Sequence, residues 1–263
     1  SHHPSWHDVE FLLVEMVAPP MKSKATQRKY RQAFRLLVRS CARPSAINEE
    51  TIVRMITSYG AGKSPASVNS MLRHLRAMCR KLVKKRILSV SPFDVESFFL
   101  REPRYRDGRC HSQDAIRRIL CRIDHEASIL AAHGRGSAGW RIMRLRSLVY
   151  LATFTGARRN EMLWIRWQDV DLDAGFVEIT GEESRLKTYG SAAMLPLSPR
   201  VVSVLRQWRE VNDSEYVFPT IRGNRPWIGG NGRDRALAAL KDLGSRAGVA
   251  GLTFQSLRHT LAT

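Results

Sequence analysis

Acidic side chains are scarce in this 263-residue chain: 24 Asp and Glu stand against 43 Lys and Arg, giving a formal net charge of +19 and a sequence pI near 10.7. A pI above ~9 is the electrostatic footprint of a protein that meets polyanions, nucleic acid first among them. Long apolar runs are missing too. The longest uncharged stretch, Thr188 to Pro199, falls short of the ~18 apolar residues a membrane helix needs, and no charged-then-apolar leader opens the chain. With no lipidation signal or amphipathic terminal anchor either, a membrane is not expected as a partner. Cysteine is sparse: Cys41, Cys79, Cys110 and Cys121 form no Cys-x-x-Cys pair and have no matching His cluster, so reduced, mostly buried thiols are expected and no metal site. Hydrophobic residues at 43% and charged residues at 25% exclude intrinsic disorder.

At ~100–200 residues per domain the length favours two domains. From Trp6 to about Arg86 the period is helical, with helices expected near 6–17, 24–40, 48–58 and from 65 onward, separated by Pro19-Pro20, Pro44-Ser45 and Gly60–Pro65. The segment 89–109 carries Pro92, Pro103 and Gly108 without clear periodicity, which divides the chain into 1–105 and 106–263. Beyond it, helices are expected near 112–125, 140–153, 157–166, 199–210, 232–247 and from 253. Phe176–Thr180 and Ala192–Leu197 alternate as strands do. The fold class is mainly α with a small antiparallel β-sheet.

Two helices carry basic stripes. At ~100° per residue, Arg28, Arg31, Arg35 and Arg39 share one face opposite Tyr30, Ala33, Phe34 and Leu37. Arg73, Arg76, Arg80 and Lys84 do the same opposite Met71, Leu75, Met78, Cys79 and Leu82. A solvated face normally interleaves acids, yet no Asp or Glu lies between Lys63 and Phe93, which favours phosphate contact. Residues 1–105 hold 19 basic and 8 acidic side chains, a net +11, and the remainder a net +8. Basic surfaces on both domains would suit a DNA duplex.

In the second domain, Gly156 ends an apolar helix, Arg158 is expected in the first turn of the next, and Glu161 follows on the same side. A cation at the positive end of a helix dipole is out of place unless an anion joins it, so a phosphate held by Arg158 and oriented through Glu161 is one reading. A surface ion pair is the other.

The run Thr155-Gly156-Ala157-Arg158 with Glu161, followed by Trp167-Gln168-Asp169-Val170-Asp171, resembles the first signature box of the tyrosine recombinase, or phage integrase, family. Lys187-Thr188-Tyr189-Gly190 before Pro196-Leu197 resembles the family's β-hairpin lysine. Tyr216-Val217-Phe218-Pro219 is similar to its strand-end signature, and Thr253-Phe254-Gln255-Ser256-Leu257-Arg258-His259 to its His-x-x-Arg box. The helical first domain, ending in Ser91-Pro92-Phe93-Asp94, resembles the core-binding, SAM-like DNA-binding domain, and 106–263 an incomplete catalytic domain.

The resemblance implies site-specific cleavage and rejoining of duplex DNA through a 3′-phosphotyrosyl link, without cofactor, metal or small-molecule substrate. It also implies partner protomers in a synaptic tetramer and a cytoplasmic, bacterial or phage-encoded, nucleoid-associated setting. Arg158 and Arg258 would hold the nonbridging phosphate oxygens, Lys187 would protonate the leaving oxygen, and Glu161 would support Arg158. Gln255 stands at the usual histidine position; it can donate a hydrogen bond but cannot shuttle a proton. The chain stops five residues after Arg258, within what reads as a helix, so the nucleophilic tyrosine is expected in a longer parent. Tyr30, Tyr59, Tyr105, Tyr150, Tyr189 and Tyr216 all lie upstream of the box. A catalytically inactive recombinase-fold DNA-binding or architectural protein, and a basic RNA-binding protein, are the alternatives.

Overall fold

The computed structural model describes residues 4–17, 24–102, 110–130, 137–179, 193–221, 223–228 and 234–261, arranged as two compact units, Ser1–Tyr105 and Arg106–Thr263.

In the first unit, helices α1 (Glu10–Val17), α2 (Lys24–Ser40), α3 (Glu49–Gly60), α4 (Pro65–Lys84) and α5 (Pro92–Val95) are joined by short connections. Their starts follow from capping chemistry. The Asn48 side chain accepts the Thr51 N–H, and Ser64 accepts that of Ser67 with Pro65 at the first helical position. α2 and α4 bury Ala33, Leu37, Met71, Leu75, Met78, Cys79 and Leu82 with Ile52 and Met55 of α3. α1 begins at Glu10, four residues later than the apolar pattern suggests, because 6–9 form a turn whose Trp6 indole donates to the Cys41 carbonyl. At the unit's end the buried Asn69 amide exchanges two hydrogen bonds with the Leu100 peptide, both 2.8 Å. Of the four cysteines only Cys79 is buried, its thiol pushed up to about 12 by desolvation; Cys110 and Cys121 are exposed, which corrects the expectation of mostly buried thiols.

The second unit is built around α7 (Ala138–Thr155), preceded by α6 (Gln113–Leu130). α7 is apolar on nearly every side, as a helix enclosed by others must be. It buries Trp140, Leu145, Leu148, Val149, Tyr150, Leu151 and Ala152. After the short α8 (Arg159–Leu163), strands β1 (Val170–Asp171), β2 (Phe176–Ile179) and β3 (Ala193–Pro196) form an antiparallel sheet in that order, with Val177 opposite Val170 and Leu195. α9 (Pro199–Val211), the β4–β5 hairpin (Pro219–Thr220 and Gly223–Pro226), α10 (Arg235–Arg246) and α11 (Phe254–Leu261) complete it. Phe218, Trp208, Leu240, Leu243, Leu252 and Leu257 close the core. Among the described residues no helix is long and apolar enough to cross a membrane.

Two features depart from the sequence pattern. α8 stops at Leu163, because the Val217 N–H bonds to the Ile165 carbonyl and Arg166 forms a bridge with Tyr216, which turns the chain out of the helix. β1 and β4 span two residues each, too short to show any alternation.

Candidate active site

The turn between α7 and α8 is built from Thr155, Gly156 and Ala157. Gly156 takes the left-handed conformation (φ 61°) that ends α7, and a Cβ there would come within 2.9 Å of Leu261 Cδ2 on α11. The Thr155 hydroxyl donates to the Leu151 carbonyl at 2.6 Å and lies 3.3 Å from the Ala157 N–H. Arg158 is therefore the residue before α8 rather than part of its first turn, and α8 has only five residues. The helix dipole therefore does not act on Arg158 as expected, and the ion pair of the other reading is formed: Glu161 accepts from both the Arg158 N–H (2.8 Å) and Nη1 (2.7 Å). The carboxylate is almost enclosed, its side chain 8% exposed, while Arg158 stays 46% exposed. A half-open guanidinium on a fixed root can meet an outside anion.

Arg258 comes to the same place from the other end of the unit. Its Nη1 donates to the Gly156 carbonyl at 2.7 Å, across 102 residues of sequence and two positions from Arg158. Gln255 lies one turn earlier on α11, exposed, its Nε2 3.4 Å from His259 Nε2. The α7–α8 turn and α11 thus bring Arg158, Arg258 and Gln255 onto neighbouring segments. Lys187 falls in 180–192, between β2 and β3 in sequence and outside the described residues. The acids of the first box make turns: Asp169 accepts the Arg166 N–H, and Asp171 those of Asp173 and Ala174.

The tyrosines of the second unit that are described are engaged elsewhere. Tyr150 is buried, its hydroxyl donates to Asp124 at 2.6 Å, and desolvation together with that carboxylate pushes it up to about 12. Tyr216 is buried against Trp164 and Arg166. Tyr105 and Tyr189 lie outside the described residues.

In the first unit, Arg28, Arg31, Arg35 and Arg39 are set along α2, opposite the face that enters the core. On α4, Arg73 and Lys84 are exposed, Arg76 is half-buried, and acids absent from the helix arrive from later in the chain: Glu102 lies 3.5 Å from Arg73, and Asp94 3.4 Å from Arg80.

Three residues of the second unit escaped sequence reasoning. Arg159 pairs with Asp234, which caps α10. Arg144 is buried between Trp140 and Trp227, donating to the Pro219 carbonyl at 2.5 Å. His111 bonds to Ser256 of α11. Only the doubled arginine of 158–159 left any local signal.

The model of the Phage integrase family matches residues 123–263, more than half of the chain. The chain belongs to that family, the tyrosine recombinases. The tyrosine recombinase XerC of Xylella fastidiosa strain 9a5c is 32% identical over 123 residues, 46% of this chain and 39% of that protein. The match thus spans about two fifths of that relative's length. XerD of Listeria monocytogenes is 22% identical over 97% of this chain and 82% of its own. Among solved structures, a lambda integrase dimer bound to a COC′ core site superposes with a TM-score of 0.70 at 16% identity, covering 98% of this chain and 68% of that one. The Tn1549 transposon integrase with circular intermediate DNA gives 0.71 at 13% identity, covering 97% and 84%. These likenesses show that the chain has the fold of the tyrosine recombinases.

Proposed function

We propose that this chain is the DNA-engaging part of a site-specific recombinase that cuts and reseals duplex DNA through a 3′-phosphotyrosyl intermediate. The observation that carries the proposal is the Arg258 guanidinium bonded to the carbonyl of the turn that presents Arg158, which roots two cations beside one another. In the proposed reaction a tyrosine oxygen forms a bond to the scissile phosphorus while the bond to the 5′ oxygen breaks. Arg158 and Arg258 hold the nonbridging oxygens, where negative charge gathers in the transition state. Glu161 keeps Arg158 aimed, and the Lys187 ammonium gives its proton to the departing 5′ oxygen. The phenol's proton leaves to solvent, because the Gln255 amide offers no basic site and serves as a hydrogen-bond donor to the phosphate. The bond energy stays in the phosphotyrosyl ester, so resealing needs no cofactor.

Residues 1–105 act in this reading as the core-binding domain and 106–263 as the catalytic domain. Duplex DNA lies along the stripes of α2 and α4. A synaptic tetramer of protomers is the working assembly, by analogy with the lambda integrase tetramer bound to a Holliday junction. None of the six tyrosines of this chain serves as the nucleophile in this reading: all lie upstream of Arg258, and Tyr150 and Tyr216 are buried.

Gln255 favours a second reading, a recombinase fold that binds DNA without cutting it. A nicked suicide duplex separates the two. In a parent protein that carries the family tyrosine, an adduct stable in detergent is expected to accumulate and to vanish in Arg158→Ala while duplex binding falls only modestly. Full binding with no adduct in the unaltered parent would establish the second reading, and undiminished cleavage by Arg158→Ala would refute the assigned role.

A further inference from the structure

The helix that carries Gln255 and Arg258 is only eight residues long and is gripped on two opposite sides. At about 100° per residue, Ser256 and Thr260 share a face about 40° wide, and Arg258 sits about 200° from Ser256. On one side Arg258 reaches the Gly156 carbonyl. On the other lies the strap that leads into α6. The His111 N–H donates to Thr260 Oγ1 at 2.8 Å, and the imidazole Nε2 lies 2.8 Å from Ser256 Oγ.

The bonding around Ser256 decides which way the proton points. Its hydroxyl donates to the Thr253 carbonyl at 2.9 Å and accepts the Thr253 N–H at 2.9 Å. A hydroxyl has one proton, so the remaining bond requires Nε2–H of His111 as donor. Burial holds this imidazole below the usual histidine range, in keeping with a neutral ring.

We infer that His111 is a positioning residue for Arg258, fixing α11 through an Nε2–H bond to Ser256 so that the arginine meets the DNA phosphate; this rests on the recombinase reading above. Gln reaches as far as the Nε2 position and Asn only as far as Nδ1, so the two variants separate donor position from polarity. Hydrogen exchange of α11 amides and duplex affinity are measured on the 263-residue chain. His111→Asn is expected to speed exchange over Phe254–Leu261 about fivefold, with α9 unchanged. It is also expected to weaken DNA binding about threefold, and the weakening should disappear when Arg258 is already Ala. His111→Gln should restore both.

Unchanged α11 exchange in His111→Asn would overturn the inference, as would failure of Gln to rescue. Faster exchange with affinity intact, or a loss of affinity that persists without Arg258, would reduce His111 to a structural strut and overturn it equally. An unaltered chain that binds no duplex would instead refute the recombinase reading, and the positioning role with it.

Discussion

Arg158 and Glu161 make the most local statement in the site. Two bonds to one enclosed carboxylate leave the guanidinium aimed but still open, and the three-residue spacing was readable from sequence alone. The partners of Arg258 and His111 were not readable, because they lie 102 and 145 residues away and no periodicity encodes such pairs. Tyr150 illustrates the opposite case, an apolar-helix tyrosine whose burial rules it out as a nucleophile. Its phenol ionises at about 12 instead of 10, so the folded state holds this proton more tightly than the unfolded one. Its contribution to stability is therefore complete below pH 10 and is lost as pH rises from about 10 to 12. The difference between absorbance titrations of the unaltered chain and Tyr150→Phe should place the Tyr150 phenol well above 10, and Asp124→Asn should lower its pKa; a Tyr150 that titrates near 10 would contradict the buried bond.

Elements follow sequence where packing is local and depart from it where a distant segment intervenes. α2 and α4 begin and end close to where their 3.6-residue pattern does, because one face of each helix enters the core. α8 ends early under the pull of Tyr216 and Val217, and β1 and β4 are defined only by their partners. Two helix ends yield predictions. Arg86 closes α4 at φ 59°, a conformation that suits glycine. Arg86→Gly is expected to raise stability by up to about 1 kcal/mol in urea unfolding, and a loss would contradict the reading. Gly156→Ala meets both the left-handed backbone and Leu261, so a loss of about 1–2 kcal/mol is expected together with weaker DNA binding. Unchanged affinity would mean the turn does not set the positions of the arginines.

Over the whole molecule, charge was the plainest signal, and the structure refines where it acts. The α4 stripe shares two of its cations with Asp94 and Glu102, whereas among the described residues no ion pair joins Arg28, Arg31, Arg35 or Arg39 to an acid. Neutralising those four α2 arginines to Gln should lower the slope of log affinity against log salt by about 0.9 for each phosphate they had neutralised, and by more than the matching change on α4. Equal slopes would make α2 an ordinary solvated face. In the proposed reaction Arg158 and Arg258 serve a single phosphate. A double-mutant cycle on duplex affinity, with Arg158→Ala, Arg258→Ala and both together, tests it most directly. Removing the second arginine should cost clearly less than removing the first, a coupling of about 1 kcal/mol or more; strictly additive losses would place the two on separate phosphates and contradict the account.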